Sequence, residues 1–289
     1  MIVATLYSDP GCPWAYSENP ALRVIEWRYG DQLDWRLVLV GLTETASQYE
    51  QRGYTPLRSA VGRLSFRRYG MPLSPEPKPR LSATARACRA VIAARLQSPG
   101  TDWAVFRAIQ LTNFTTGLVI DDDEQLRAAL DGLPGIDATA IIAALDADEV
   151  TAAYEADKAS TRAAAGSAAE LQGKTATTDG PVRFTAPSIV FERDGVSLVA
   201  GGFQPVEAYD VLVANLDPTL RRREPPETPE PLLDAFAGGL TTQEVAALMT
   251  HGNDAPDRRA AEAALIELVG AGRATRVALG DDALWLRAA

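Results

Sequence analysis

An apolar-rich run, Ile2 to Tyr7, ends in the dense turn signal Asp9-Pro10-Gly11, which predicts a strand running into a tight corner. Helical periodicity follows from Pro13 to Tyr29, with Pro20 inside it predicting a kink or local break. Gly30-Asp31 closes that segment, and W-R-L-V-L-V ends a second strand, Leu33 to Val40. A strand–helix–strand unit of this length predicts parallel neighbours and a right-handed crossover. Between Gly41 and Arg80 the pattern weakens. Three glycines and five prolines leave room for one short helix, Thr55 to Tyr69, and a stiff Pro-rich stretch, Met71 to Pro79. Helical patterns then cover Ala83–Leu96 with Ser82 as N-cap, Asp102–Phe114, a segment opening on Asp121–Glu124, Ala138–Leu145 and Glu149–Ala168, before a polar loop, Gly173–Gly180. Strand character returns at Ser188–Glu192, turns at Arg193-Asp194-Gly195 and comes back through Val196–Ala200. After Gly201-Gly202, Pro205 starts a helix, Val206–Asn215. The sum is α/β, a four-stranded mixed sheet carrying a large helical insertion over about residues 41–180.

A Pro-rich linker, residues 221–231, separates this unit (residues 1–220) from a smaller one, residues 232–289. There Leu232–Ala237 begins a helix, and Thr241-Thr242-Gln243-Glu244 is an N-cap signature for a second, running to Met249. Asp257–Val269 is a third. Arg273–Leu279 and Ala283–Arg287 form a hairpin about Gly280-Asp281-Asp282. Three helices followed by a hairpin predict a winged-helix-like α+β unit.

The composition, 46% hydrophobic and 23% charged, is that of an ordinary soluble globular chain. No apolar run approaches the roughly 20 residues that span a bilayer. Met1 leads directly into the first strand without a secretory signal, so the expected location is cytoplasmic. A net charge of −10 disfavours nucleic acid and anionic lipid. The only histidine, His251, is far from the N-terminal corner, which argues against His-based zinc sites and His-assisted nucleophiles; no metal is expected. Two cysteines exclude a disulfide-stapled scaffold.

Chemistry concentrates at Cys12. It stands at a strand-to-helix corner, with Pro13 at the first helical position, where free backbone N–H groups favour thiolate. A depressed pKa is therefore expected. Ala15 occupies the place of the second cysteine of a C-x-x-C pair. Cys88, in A-R-A-C-R-A-V, reads as a packing residue, with a resolving role toward Cys12 as the alternative. Trp14 offers either an aromatic wall to a ligand or packing, whereas Tyr16 fits the core better. Arg58, Arg63, Arg67 and Arg68, interleaved with Tyr54, Phe66 and Tyr69, form either a solvated helical face or a substrate or anion contact.

D-P-G-C-P-W-A-Y at residues 9–16, F-R-A-I-Q-L-T-N-F at 106–114, T-A-P-S-I-V-F at 185–191 and G-G-F-Q-P at 201–205 carry a family resemblance. In this order, with the helical insertion between, residues 1 to about 218 resemble the DsbA-like branch of the thioredoxin fold. More narrowly, they resemble the group of FrnE-type oxidoreductases, 2-hydroxychromene-2-carboxylate isomerases and kappa-class glutathione transferases. The resemblance implies that Pro187 is the fold's cis-proline, setting the Ala186 backbone beside Cys12 as an edge for a thiol ligand. It further implies that the helix entered through Gly202 to Pro205 meets that ligand's carboxylate. Gln204 stands where the glutathione-dependent relatives carry an acid, so the low-molecular-weight thiol is glutathione or another. Cys12 matches the oxidoreductases and Ala15 departs from them, which leaves a monothiol needing an outside thiol to complete exchange.

The expected function is a DsbA-family monothiol enzyme. Cys12 would work in thiol–disulfide oxidoreduction, or in thiol-dependent isomerisation or transfer on a small electrophile. Trp14, Ala186, Pro187, Gly202 and Gln204 would bind the substrate or thiol. The alternative is a retired thioredoxin-like binding protein whose C-terminal unit meets a partner or DNA. Five arginines against eight acids from Leu232 onward make nucleic acid a poor partner, so docking to a protein or to a second copy is the better expectation.

Overall fold

The computed structural model describes residues 1–288. β1 (Ile2–Ser8) leads into α1 (Pro13–Ser17), α2 (Asn19–Tyr29) and β2 (Leu33–Leu39). The break between α1 and α2 is the one Pro20 predicts, displaced to Glu18. Pro20 cannot donate to the Tyr16 carbonyl one turn back, and Asn19 Nδ2 takes that acceptor at 2.9 Å. The insertion begins with α3 (Ser47–Gln51), α4 (Pro56–Leu64) and a 3-10 turn, Ser65–Tyr69. The Pro-rich stretch after it is no surface cover at its start, since Met71 and Leu73 are buried.

Next come α5 (Ala85–Gln97), α6 (Asp102–Thr115), α7 (Asp123–Leu130), α8 (Ala138–Ala143), α9 (Asp148–Thr161) and α10 (Ala168–Leu171). Ser82 does not cap α5, which starts after Thr84; the Thr84 hydroxyl is committed to Asp9 instead. The expected loop at 173–180 contains β3 (Thr175–Ala176), which pairs with β4 (Arg183–Phe184) as a two-stranded ribbon. β5 (Ser188–Arg193) and β6 (Val196–Gly201) form the predicted hairpin, and α11 (Val206–Leu216) ends the unit. Asp194 and Gly195, at φ 51° and 80°, make its two-residue loop, both in the left-handed region that a tight hairpin requires.

The sheet order is β2-β1-β5-β6, with β1 and β2 parallel and the other pairs antiparallel. Alternate residues of β1 (Ile2, Ala4, Leu6) are buried in the main core together with α5, α6 and α11. The mixed sheet and the helical insertion are as the sequence predicts.

The C-terminal unit runs α12 (Glu230–Ala235), β7 (Leu240–Thr241), α13 (Thr242–Leu248), α14 (Arg258–Gly270), β8 (Ala274–Leu279) and β9 (Asp282–Arg287), with sheet order β7-β9-β8. The capping box of Thr241 and Glu244 forms as the sequence predicts; β7 is a strand that the pattern did not reveal. This unit is fastened to the first. Val24 and Trp27 of α2 belong to its apolar core. Arg107 of α6 donates to both carboxylate oxygens of Glu244 at 2.7 Å and to the Gly239 carbonyl at 3.0 Å. The linker lies along α2: Arg223 covers the Trp27 ring at 4.3 Å, and Trp27 Nε1 donates to the Glu224 carbonyl. Among the described residues no helix is long and apolar enough to cross a membrane.

Candidate active site

Cys12 is the N-cap of α1, in extended conformation (φ −83°, ψ 118°), with its own N–H bonded to the Asp9 carbonyl. The residue is 6% exposed and packed among Ala15, Val40, Ala186 and Leu42, and its thiol donates to the Ala186 carbonyl at 3.0 Å. The Ala186-Pro187 bond is cis. The corner and the late Ala-Pro edge therefore meet.

The expected depressed pKa is not what this environment produces. Burial pushes the Cys12 thiol up to about 12. The Ala15 and Trp14 N–H groups and Arg183 pull the other way, while buried Asp9 adds to the rise. The helix-terminus effect fails because α1 has only five residues and Pro13 contributes no N–H, so little aligned dipole opposes complete desolvation.

Asp9, read from the sequence as a turn residue, is the hub of the corner. It is wholly buried and accepts from Gly11 N (2.8 Å), Leu42 N (2.9 Å), the Thr84 hydroxyl (2.9 Å) and the Cys88 thiol (3.7 Å). Burial raises its pKa against those donors. Cys88 is 0% exposed and its pKa also lies well above the ordinary thiol value, raised by burial and by Asp9. Both cysteines are free. Cys88 thus has the packing environment expected of it, with its thiol directed at Asp9.

Trp14 is 40% exposed and forms an aromatic wall with Phe66 (4.9 Å between ring centroids), Phe203 (5.6 Å) and Tyr69 (5.9 Å). Tyr16 is a core residue, stacked on Phe114 and donating to the Pro72 carbonyl at 2.7 Å. On one side of the wall lies a mostly apolar cavity of about 600 Å³, reached by Gly11, Pro13 and Trp14 from the corner and by Phe66, Lys78 and Phe114 from the insertion. Cys12 itself does not line it. On the other side a cavity of about 290 Å³ lies between the Phe203–Val206 turn and the C-terminal unit, which contributes Gln243 and Thr250.

Gly202, at φ 71°, donates its N–H to the Ser188 hydroxyl at 3.1 Å. Gln204 folds its amide back on the Gly201 carbonyl (2.7 Å), and its N–H goes to Glu18 at 3.3 Å. Glu18 escaped notice in the sequence, where only its place beside the Pro20 break marked it. Burial lifts its pKa to about 8, against the pull of the Tyr209 hydroxyl and the Gln204 N–H.

A folded-state value above the ordinary 4.5 means that Glu18 contributes its stability fully below about pH 4.5 and loses it as pH rises toward 8. Glu18→Gln should therefore gain on the wild type across that window, by roughly 2–4 kcal/mol at its upper end. Denaturant melts at about pH 5 and 8 measure it; a constant difference between the two would contradict the assignment.

No protein-family model and no curated protein matches the chain. Solved structures do. A Nitrosomonas europaea protein assigned as a disulfide isomerase is 19% identical, with TM-score 0.56, covering 74% of this chain and 96% of its own. The Pseudomonas aeruginosa cytosolic disulfide reductase DsbM, in a structure with GSH, is 20% identical with TM-score 0.52, over 74% and 98%. A Streptomyces coelicolor protein assigned as a DsbA oxidoreductase is 18% identical with TM-score 0.53, over 78% and 93%. The fold is thioredoxin-like, of the DsbA type. Within the DsbA-like frame, Cys12 meets Ala186 beside the cis Pro187, with Trp14 on the helix that Cys12 caps. Gly202 and Gln204 sit across the aromatic wall from the larger cavity, their polar groups engaged within the protein.

Proposed function

We propose that the protein is a low-molecular-weight-thiol-dependent enzyme acting on a small electrophile, with Cys12 as a neutral thiol that contacts the sulfur of the borrowed thiol. The observation that carries this reading is the buried Cys12 S–H donating to the Ala186 carbonyl, with Ala15 in the position of a resolving cysteine. A protonated donor suits a partner that arrives as thiolate. The borrowed thiol, glutathione or another, docks along Ala186-Pro187, and Trp14 walls its sulfur. The Gly202–Gln204 turn, whose polar groups are engaged with Ser188, Glu18 and Gly201, is left out of its docking. The Cys12 proton turns from the Ala186 carbonyl to that sulfur and holds it as thiolate. The thiolate adds to an electrophilic carbon of a substrate in the larger cavity, forming a C–S bond. In transfer a leaving group departs with the bonding electrons; in isomerisation the new C–S bond breaks again.

Thiol–disulfide exchange by Cys12 is the second reading, favoured by the fold neighbours, one of them a cytosolic disulfide reductase with GSH. There Cys12 attacks a disulfide, and an outside thiol releases the mixed disulfide because Ala15 cannot. Both readings need a reducing compartment, so we place the protein in the cytoplasm. The C-terminal unit, winged-helix-like in its element order, serves as a fixed brace and not as a nucleic-acid reader. Arg258 at the start of α14 is spent on Asp282 and the Gly70 carbonyl, which leaves Arg259 as the basic side chain of that helix.

Conjugation of glutathione, cysteine or coenzyme A to chlorodinitrobenzene separates the readings. Cys12→Ser, which keeps a proton donor, should retain turnover within about threefold, and Cys12→Ala should lose about tenfold or more. Loss of turnover in Cys12→Ser would instead make Cys12 the nucleophile. No conjugation with any thiol would overturn the first reading, and reduction of a mixed disulfide such as oxidised glutathione would then divide disulfide exchange from a binding protein.

A further inference from the structure

The larger cavity has a feature that an apolar substrate alone does not explain. Arg58, Arg63, Lys78 and Arg80 all reach its lining, and no aspartate or glutamate among the described residues does, in a chain whose net charge is −10. Two of the four are accounted for: Arg80 pairs with Asp121 at 2.6 Å, and Arg58 donates to the Gly53 carbonyl at the exposed end. Arg63 and Lys78 differ. Arg63 gives one N–H to the Glu76 carbonyl and keeps its buried Nε without any hydrogen-bond partner. Lys78 Nζ reaches in from the Pro-rich stretch to the Asn113 side chain (2.7 Å) and the Leu118 carbonyl, both neutral acceptors. Burial lowers the pKa of both groups, and Arg63 depresses Lys78 further, against the pull of Asp121, to about 7. These two neighbours, whose direct hydrogen-bond partners are neutral, repel each other when both are charged, and an anion between them would hold both in the charged form. The same cavity is lined by the apolar side chains of Trp14, Leu42, Phe66 and Phe114.

We infer that this cavity selects an organic anion, an apolar body carrying one acidic head, with the head held by Arg63 and Lys78 and the body against Trp14, Phe66 and Phe114. The inference rests on the functional reading above for the cavity's role as the substrate's chamber, and it names the class of molecule admitted there. A volume of about 600 Å³ suits a body of one to three fused rings or an equivalent chain. Arg63 and Lys78 determine specificity through charge and touch no reacting atom of the thiol.

The test compares two fluorescent probes with nearly the same body, anilinonaphthalene sulfonate and uncharged phenylnaphthylamine, titrated into the full-length protein without any thiol. The sulfonate should bind at least about tenfold more tightly. Arg63→Met and Lys78→Met should each remove most of that preference while leaving phenylnaphthylamine affinity unchanged, which also shows that the cavity is intact. Arg63→Lys should keep the preference, and Phe66→Ala should weaken both probes. Equal binding of the two probes by the wild type, or a preference that survives both Met variants, overturns the inference. Because no thiol and no turnover enter the measurement, failure here leaves the Cys12 chemistry standing. Failure of the Cys12 chemistry likewise leaves the anion site standing.

Discussion

Arg107→Met should destabilise the protein by about 3–5 kcal/mol, the cost of leaving a buried carboxylate without its cation. Glu244 is wholly buried, and Arg107 engages both of its oxygens. Burial alone would raise the Glu244 pKa; the charge and hydrogen bonds of Arg107, with Arg23 behind, outweigh it and hold the group below its ordinary value. The same carboxylate accepts the Thr241 N–H as part of the capping box of α13. The pair thus joins the insertion to the C-terminal unit and starts a helix at one point. The double variant Arg107→Met/Glu244→Gln removes the stranded charge and keeps an acceptor for Thr241, so it should recover more than half of the loss. Equilibrium denaturation measures both. A single-variant cost below about 1 kcal/mol would mean that the two units separate readily and that Glu244 finds water.

The second large effect is in thiol reactivity. At pH 7 a thiol of pKa about 12 carries a thiolate fraction roughly 10³-fold below that of an ordinary cysteine. The greater intrinsic nucleophilicity of a high-pKa thiolate recovers only part of that. An aromatic disulfide reagent should therefore find neither cysteine of the native protein within minutes, and both at once after denaturation. Cys88 is silent for the same reason, burial beside Asp9. One thiol reacting natively at the free-cysteine rate would assign Cys12 to the exchange chemistry of the second reading.

The strands of the mixed sheet, its parallel first pair and late hairpin, and the helical insertion were legible because local signals agreed with them: the Asp9-Pro10-Gly11 corner, the Asp194-Gly195 hairpin, and Pro20 as a helix break. The pairing of β1 with β5 that sets the sheet order was not. The meeting of Cys12 with Ala186 was legible only through family resemblance, since nothing local links residues so distant in the chain. What the sequence obscured was desolvation. Cys12 looked activated because its helix terminus is visible in the sequence, while the packing of Ala15, Val40, Leu42 and Ala186 around its sulfur is not. Asp9 and Glu18 were hidden in the same way, each a lone acid whose burial depends on partners from other elements. Arg63 and Lys78 read as one member of a basic helix and one residue of a Pro-rich run, and only the folded insertion turns both toward one cavity.

The most direct test of the central claim is an ultraviolet titration of thiolate absorbance, taken as the difference between wild type and Cys12→Ser from about pH 6 to 10. The account predicts no step anywhere in that range, because Cys12 stays protonated as long as it remains buried against the Ala186 carbonyl. A step with its midpoint at or below about pH 8 would show an activated thiolate and contradict the neutral-thiol mechanism.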